Sequence, residues 1–280
     1  MVEVIATGIY SSIQDQGRFG FRNIGVPISG VMDNYSANLA NALLNNNKQC
    51  AVLETTLVGP VLKFHQDTFI SVTGAKCLLK INDGPRDLNT VHEIFKGDVL
   101  SMGKTTSGMR NYLAVSGGFQ TPLVLNSRSY FAGISKNQTI RKGEYIKIIQ
   151  PVSPILNRTK ITPVYIDSKQ HSIEVSKGPE FELLDEKSKE ILFQNKFILS
   201  SQSNRMAYPL KSVDGLNANE IISSSVQPGT VQLTPSGKPI ILMRDCQTTG
   251  GYSRVLQLTE QATNLLAQKR PDESIYFTLK

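Results

Sequence analysis

Short runs of β-branched and apolar residues, each closed off by Gly, Pro, Asn or Asp, fill most of this chain, and helical periodicity surfaces in only three places. Residues 51–57, 68–72, 77–81, 98–102, 112–115, 144–149, 230–234, 239–243 and 274–279 read as strands. A helix is expected where Tyr35, Leu39, Ala42 and Leu43 share one face behind the capping residue Asp33. Two more are expected over 185–195 and 260–269, the latter capped by Thr259. Neither half alternates strand with helix, which argues against a parallel doubly wound sheet and for closed or barrel-like antiparallel sheets.

With 280 residues the chain has material for two domains. Three prolines in 151–163 mark a linker, placing the domains at 1–155 and 156–280. A faint echo, Val2-Glu3-Val4 before Gly8 and Ile173-Glu174-Val175 before Gly178, suits two related halves. Charged residues at 19% and hydrophobic ones at 40% exclude disorder, and the net charge of +7 is spread without a run dense enough to follow a nucleic-acid backbone. An anionic small molecule remains the compatible partner. Glu3 stands where a secretory leader would be basic, and no apolar stretch reaches membrane-spanning length, so the expectation is a cytoplasmic protein without membrane contact. Cys50, Cys77, Cys246 and His65, His92, His171 show neither disulfide nor zinc spacing, and no metal ligands are assigned.

Two polar segments stand out from the strand and turn background. The first runs through Asp15-Gln16-Gly17-Arg18-Phe19-Gly20 and Gly25 to Asp33, entering the helix that carries Asn41. Glycines admit a ligand close to the backbone, and an arginine ahead of a helix start suits an anion; the alternative is a tight turn braced by Arg18 with Asp15 or Asp33. The second follows an apolar strand: Arg244-Asp245-Cys246-Gln247-Thr248-Thr249-Gly250-Gly251-Tyr252. It holds more donors and acceptors than a turn needs, although a bulge or hairpin could absorb them. Arg128 and Arg205 are further anion candidates, or loop braces. Glu54 lies in an apolar strand; inward it must be paired, outward it is an ordinary carboxylate. The Gly-Lys-Thr at 103–105 lacks phosphate-loop spacing. Cys246 has no histidine nearby in sequence to activate it.

These segments, with Leu53-Glu54-Thr55-Thr56-Leu57, Thr73-Gly74-Ala75, Ser116-Gly117-Gly118-Phe119, Ser127-Arg128-Ser129 and Asn204-Arg205-Met206, follow one another in an order that resembles the biotin-dependent carboxyltransferase A/B-domain family over nearly the whole chain. The resemblance implies a mainly β fold of tandem cyclophilin-like β-barrel domains with a few short helices. It implies membership of an ATP-dependent 5-oxoprolinase that opens 5-oxoproline to glutamate, with ATP and Mg²⁺ as cofactors. The implied partners are two further 5-oxoprolinase subunits, one kinase-inhibitor-like and one lactam-utilisation-like. Catalytic positions carried over are Asp15, Arg18, Asp33 and Glu54. Substrate-binding ones are Asn41, Arg128, Arg205, Asp245, Gln247, Thr248, Thr249 and Tyr252. The alternatives are carboxyl transfer from biotin to a urea-like amide, or a non-catalytic antagonist that binds a kinase-inhibitor protein. The chain departs from the family pattern at Asn126, Tyr130, Ala207, Pro209 and Ser253.

Overall fold

The computed structural model describes residues 1–149 and 170–280. The expected linker over 151–163 and the boundary at 155 lie outside the described residues. Two compact units are present: Met1–Arg18 with Ser29–Tyr165, and Phe19–Ile28 with Ile166–Lys280. Among the described residues strands dominate, α-helices number three, and no helix is long and apolar enough to cross a membrane.

The first unit contains β1 (Val2–Ala6), β2 (Tyr10–Gln14), α1 (Asn34–Leu43), β3 (Val52–Thr56), β4 (Val61–Phe64), β5 (Thr68–Ile81), β6 (Gly84–Arg86), β7 (Val91–Ile94), β8 (Val99–Val115) and β9 (Tyr145–Ile146). The sheet runs β2-β3-β8-β4-β1-β9, with β5 joined to β8 and carrying β6 and β7. Where the sequence suggests two strands at 68–72 and 77–81, and two more at 98–102 and 112–115, the structure has one long strand each time. Register shifts after Gly74 and after Lys76 let β5 bend along β8 instead of ending. Gly74 sits at φ +93°, and a Cβ there would come 2.4 Å from the Arg110 carbonyl oxygen, so the bulge requires glycine. The Gly-Lys-Thr at 103–105 lies inside β8, not on a phosphate-binding loop. Asp33 caps α1 by accepting from Ser36 N at 3.0 Å. Small residues on the buried face of α1 let it lie close to the sheet, where Ser71 and Thr73 of β5 donate to the carbonyls of Ala40 and Ser36 at 2.6 Å.

The second unit contains β10 (Ser172–Lys177), α2 (Glu186–Gln194), β11 (Phe197–Ile198), β12 (Ala207–Pro209), β13 (Glu220–Ser225), β14 (Thr230–Leu233), β15 (Pro239–Leu242), β16 (Thr249–Leu258), α3 (Glu260–Ala267) and β17 (Ser274–Leu279). Its order is β11-β17-β10-β16-β14-β15-β12, with β13 beside β16. The β10–β17 pair is parallel, a departure from the antiparallel expectation; the two strands are joined by the whole chain from α2 to α3, far longer than the crossover a parallel pair requires. Asp185 and Thr259 cap α2 and α3. The core holds Ile173, Val231, Ile241 and Val255 with Phe197 and Phe277, whose ring centres lie 5.4 Å apart. Two curled sheets with few helices are the mainly β architecture that the resemblance implies.

Candidate functional site

In the first unit, β2 ends at Gln14 and delivers Asp15 to the turn at 127–129. The Asp15 carboxylate accepts from Gly17 N at 2.8 Å, Ser127 Oγ at 2.7 Å, Ser129 Oγ at 2.7 Å and Arg128 N at 2.5 Å. Its carbonyl accepts from Val31 N at 3.0 Å, and Gly30, at φ +87°, passes so close that a Cβ would stand 3.0 Å from that oxygen. Asp15 thus ties three stretches of chain together, and its carboxylate capacity goes to groups of this protein.

Arg18 is fully buried and donates to the carbonyls of Val124, at 3.2 Å, and Ser129. The Arg128 guanidinium bonds the Thr121 carbonyl and, at 2.9 Å, Gln120 Oε1. Between the paired residues Val124 and Ser127 stand Leu125 at φ +52° and Asn126 at φ +60°. Two left-handed central residues make this a type I′ turn, which explains the departure at 126: asparagine tolerates that conformation better than other non-glycine residues.

Asp33 and Glu54 meet around Tyr112. The Asp33 carboxylate takes the amide and, at 2.6 Å, the hydroxyl of Ser36, while Asp33 N donates to Tyr112 Oη at 2.8 Å. Glu54, on β3, is 1% exposed, which resolves its orientation as inward. It accepts from Met32 N at 2.7 Å and lies 3.9 Å from Arg110 Nε. Burial, then the charges of Glu54 and Asp33, push the Tyr112 hydroxyl well above its ordinary range, so it stays protonated. Asn41 donates to the Cys50 carbonyl at 2.9 Å and accepts from Asn46 Nδ2, closing the loop after α1.

In the second unit, Arg205 forms a two-pronged pair with Asp245: Nε to Oδ2 at 2.8 Å and Nη2 to Oδ1 at 3.1 Å, both side chains about nine-tenths buried. Backbone bonds from Asp245 N to the Arg205 carbonyl and from Met243 N to the Met206 carbonyl align the two loops. Gln247 donates from Nε2 to Gln232 Oε1 at 3.3 Å, and Gln232 in turn donates to the Tyr252 carbonyl. The Gln247 Oε1 atom is buried and accepts no hydrogen bond among the described residues. Thr248 uses its carbonyl to receive Val226 N, Thr249 is exposed at the start of β16, and Tyr252 is 37% exposed. A Cβ on Gly250 would meet Gln232 Nε2 at 2.6 Å, so this glycine leaves room for the Gln232 side chain.

Residues outside the sequence expectation hold these groups in place: Ser127 and Ser129 on Asp15, Arg110 and Tyr112 by Glu54, and Gln232 beneath Gln247. Gln232 is detectable as an amide inside the apolar strand 230–234. Arg110 and Tyr112 gain meaning only from the pairing of β8 with β3, and Ser127 and Ser129 only from the approach of their turn to Asp15.

Cys246 is buried, and burial pushes its thiol up to about 12, as it pushes Cys77 to about 11. The thiolate needed for nucleophilic attack is therefore scarce near neutrality. In the folded protein at neutral pH, iodoacetamide is expected to leave Cys77 and Cys246 unlabelled, and in concentrated urea to label all three cysteines. Rapid native alkylation of Cys246, followed by mass spectrometry, would contradict this.

The carboxyltransferase domain family, subdomain A and B, matches residues 24–279. The C subunit of 5-oxoprolinase from Escherichia coli (strain K12) is 31% identical over 283 residues, covering 99% of this chain and 90% of that protein. Its counterpart from Haemophilus influenzae is 32% identical over 284 residues with the same coverage. The crystal structure of K. lactis urea amidolyase superposes with a TM-score of 0.90 at 31% identity, covering 99% of this chain and 18% of that much longer one.

Proposed function

This chain belongs to the carboxyltransferase domain family, subdomain A and B, and from that premise we propose that it acts as the C-type subunit of an ATP-dependent 5-oxoprolinase, working with kinase-inhibitor-like and lactam-utilisation-like subunits. Similarity along 90% of two proteins named as C subunits of 5-oxoprolinase supports the reading. The observation that carries it into chemistry is Gln247 Oε1, a buried acceptor with no donor among the described residues, on the same loop as Asp245, the partner of Arg205. A buried acceptor left unmade costs about 1–3 kcal/mol, and the ring N–H of a lactam is a donor of suitable kind. Arg205, held flat by Asp245, places positive charge near the same loop for the substrate carboxylate. The role of these residues is to bind and orient the lactam and to keep water from the acceptor.

ATP would supply activation of an otherwise unreactive lactam carbonyl. Asp15 and Asp33 do not suit Mg²⁺, since hydrogen bonds from this chain occupy both carboxylates, and among the described residues no three His, Cys, Asp or Glu side chains gather as a metal site. The assembled complex is the place to seek the nucleotide and its ion.

Co-expression with the two companion subunits and assay of glutamate and ADP from 5-oxoproline is the test. Turnover is expected, and Gln247→Leu should lower kcat/KM by about tenfold, mainly through KM, as fits the loss of one hydrogen bond. Partner binding without turnover would favour the antagonist reading. Carboxylation of a urea-like amide in the presence of a biotinylated carrier would favour the carboxyltransferase reading suggested by the urea amidolyase likeness.

A further inference from the structure

Beyond the Gln247 loop, the second unit contains a cleft of about 670 Å³, a size suited to a small metabolite, and none of the anticipated site residues lines it. Its charged lining consists of Arg22, Lys177 and Arg254, with no carboxylate on the wall. The three cations are held differently. Arg254 is fixed from behind: Nε and Nη2 bond the Glu180 carboxylate at 2.9 and 2.7 Å, and Nη1 bonds the Ser225 carbonyl at 2.9 Å. Those bonds hold the Glu180 carboxyl below its ordinary range, so the pair persists through neutral pH. Lys177 reaches outward to the exposed Glu182 at 2.8 Å. Arg22 has no carboxylate partner among the described residues; it anchors Nη2 on the carbonyls of Val226 and Thr248.

Anchoring through one nitrogen sets the direction of the Arg22 guanidinium and leaves its Nε and Nη1 as donors without an acceptor among the described residues. Ser225 Oγ and the Gln227 side-chain amide, on the same wall, likewise make no hydrogen bond among the described residues. Ile28, Val226 and Leu256 add apolar surface. An unpaired positive charge, three sets of unused polar groups and a cleft of metabolite size share one location. The geometry points to a second ligand site here, binding a small oxyanion, carboxylate or phosphate, through Arg22 with Ser225 and Gln227.

The site is separate from the lactam-binding reading and can fail or hold without it. The full chain is titrated calorimetrically with glutarate and, separately, with inorganic phosphate at constant ionic strength. At least one anion is expected to bind saturably, and the one preferred identifies the headgroup. Arg22→Gln should weaken binding at least tenfold. Gln227→Glu, which leaves the Arg22 anchors in place and sets a negative charge on the wall, should do the same. Gln247→Leu should leave the affinity unchanged. The inference is overturned if neither anion binds saturably, if Arg22→Gln and Gln227→Glu bind as the wild type does, or if Gln247→Leu abolishes binding.

Discussion

Replacing Asp15 by alanine is expected to lower stability by about 3–5 kcal/mol, read as a drop in the denaturant midpoint of the unit formed by Met1–Arg18 and Ser29–Tyr165. The carboxylate receives four hydrogen bonds, two from backbone N–H groups and two from serine hydroxyls. Truncation strands those donors in an interior where Ser127 and Ser129 are fully buried. Asp15→Asn separates shape from charge. Its Oδ1 can keep the serines, while its Nδ2 would point a donor at Arg128 N, so an intermediate loss of about 1–2 kcal/mol is expected. Should Asp15→Ala unfold like the wild type while catalysis by the complex disappears, Asp15 would be a reacting group instead of the clamp described above.

Arg110→Met is expected to cost a similar amount, about 3–5 kcal/mol, because it removes the positive charge nearest a carboxylate that is 1% exposed. The partner change Glu54→Gln removes the charge but keeps an acceptor for Met32 N, so it should be milder. The informative measurement is the double variant. Removing both charges together should cost less than the sum of the single changes by about 1–3 kcal/mol, the signature of coupling between neighbours. Additive losses would show that the 3.9 Å approach carries no energetic interaction.

Several elements are legible from local pattern. The helix behind Asp33 is readable because an N-cap is a one-residue event three positions from its donor group. The mainly β class follows from β-branched runs and turn residues. The continuity of β5 and β8 is not readable, because Gly74, Gly103 and Gly108 look like breaks locally, while pairing along the full length of two strands turns such breaks into register shifts. The order of motifs locates the loops that carry Asp15, Arg205 and Gln247, but a list of polar residues says nothing about how much of each is already spent. The Asp15 carboxylate is consumed by the chain's own groups, whereas Gln247 retains an acceptor, and only partners distant in sequence, such as Ser129 and Gln232, make that difference. Arg22 carries no local signal because its setting depends on Val226, more than two hundred residues away.

The decapeptide Phe19–Ile28 belongs to the second unit although the segments on both sides of it belong to the first. No single cut can therefore divide this chain into two intact halves: a fragment begun after residue 165 would lack Arg22 and the bond it makes to the Val226 carbonyl. During synthesis this strip leaves the ribosome early and must wait for nearly the entire remaining polypeptide before its destination exists. Gene-splitting or circular permutation should accordingly respect three crossing points, not one.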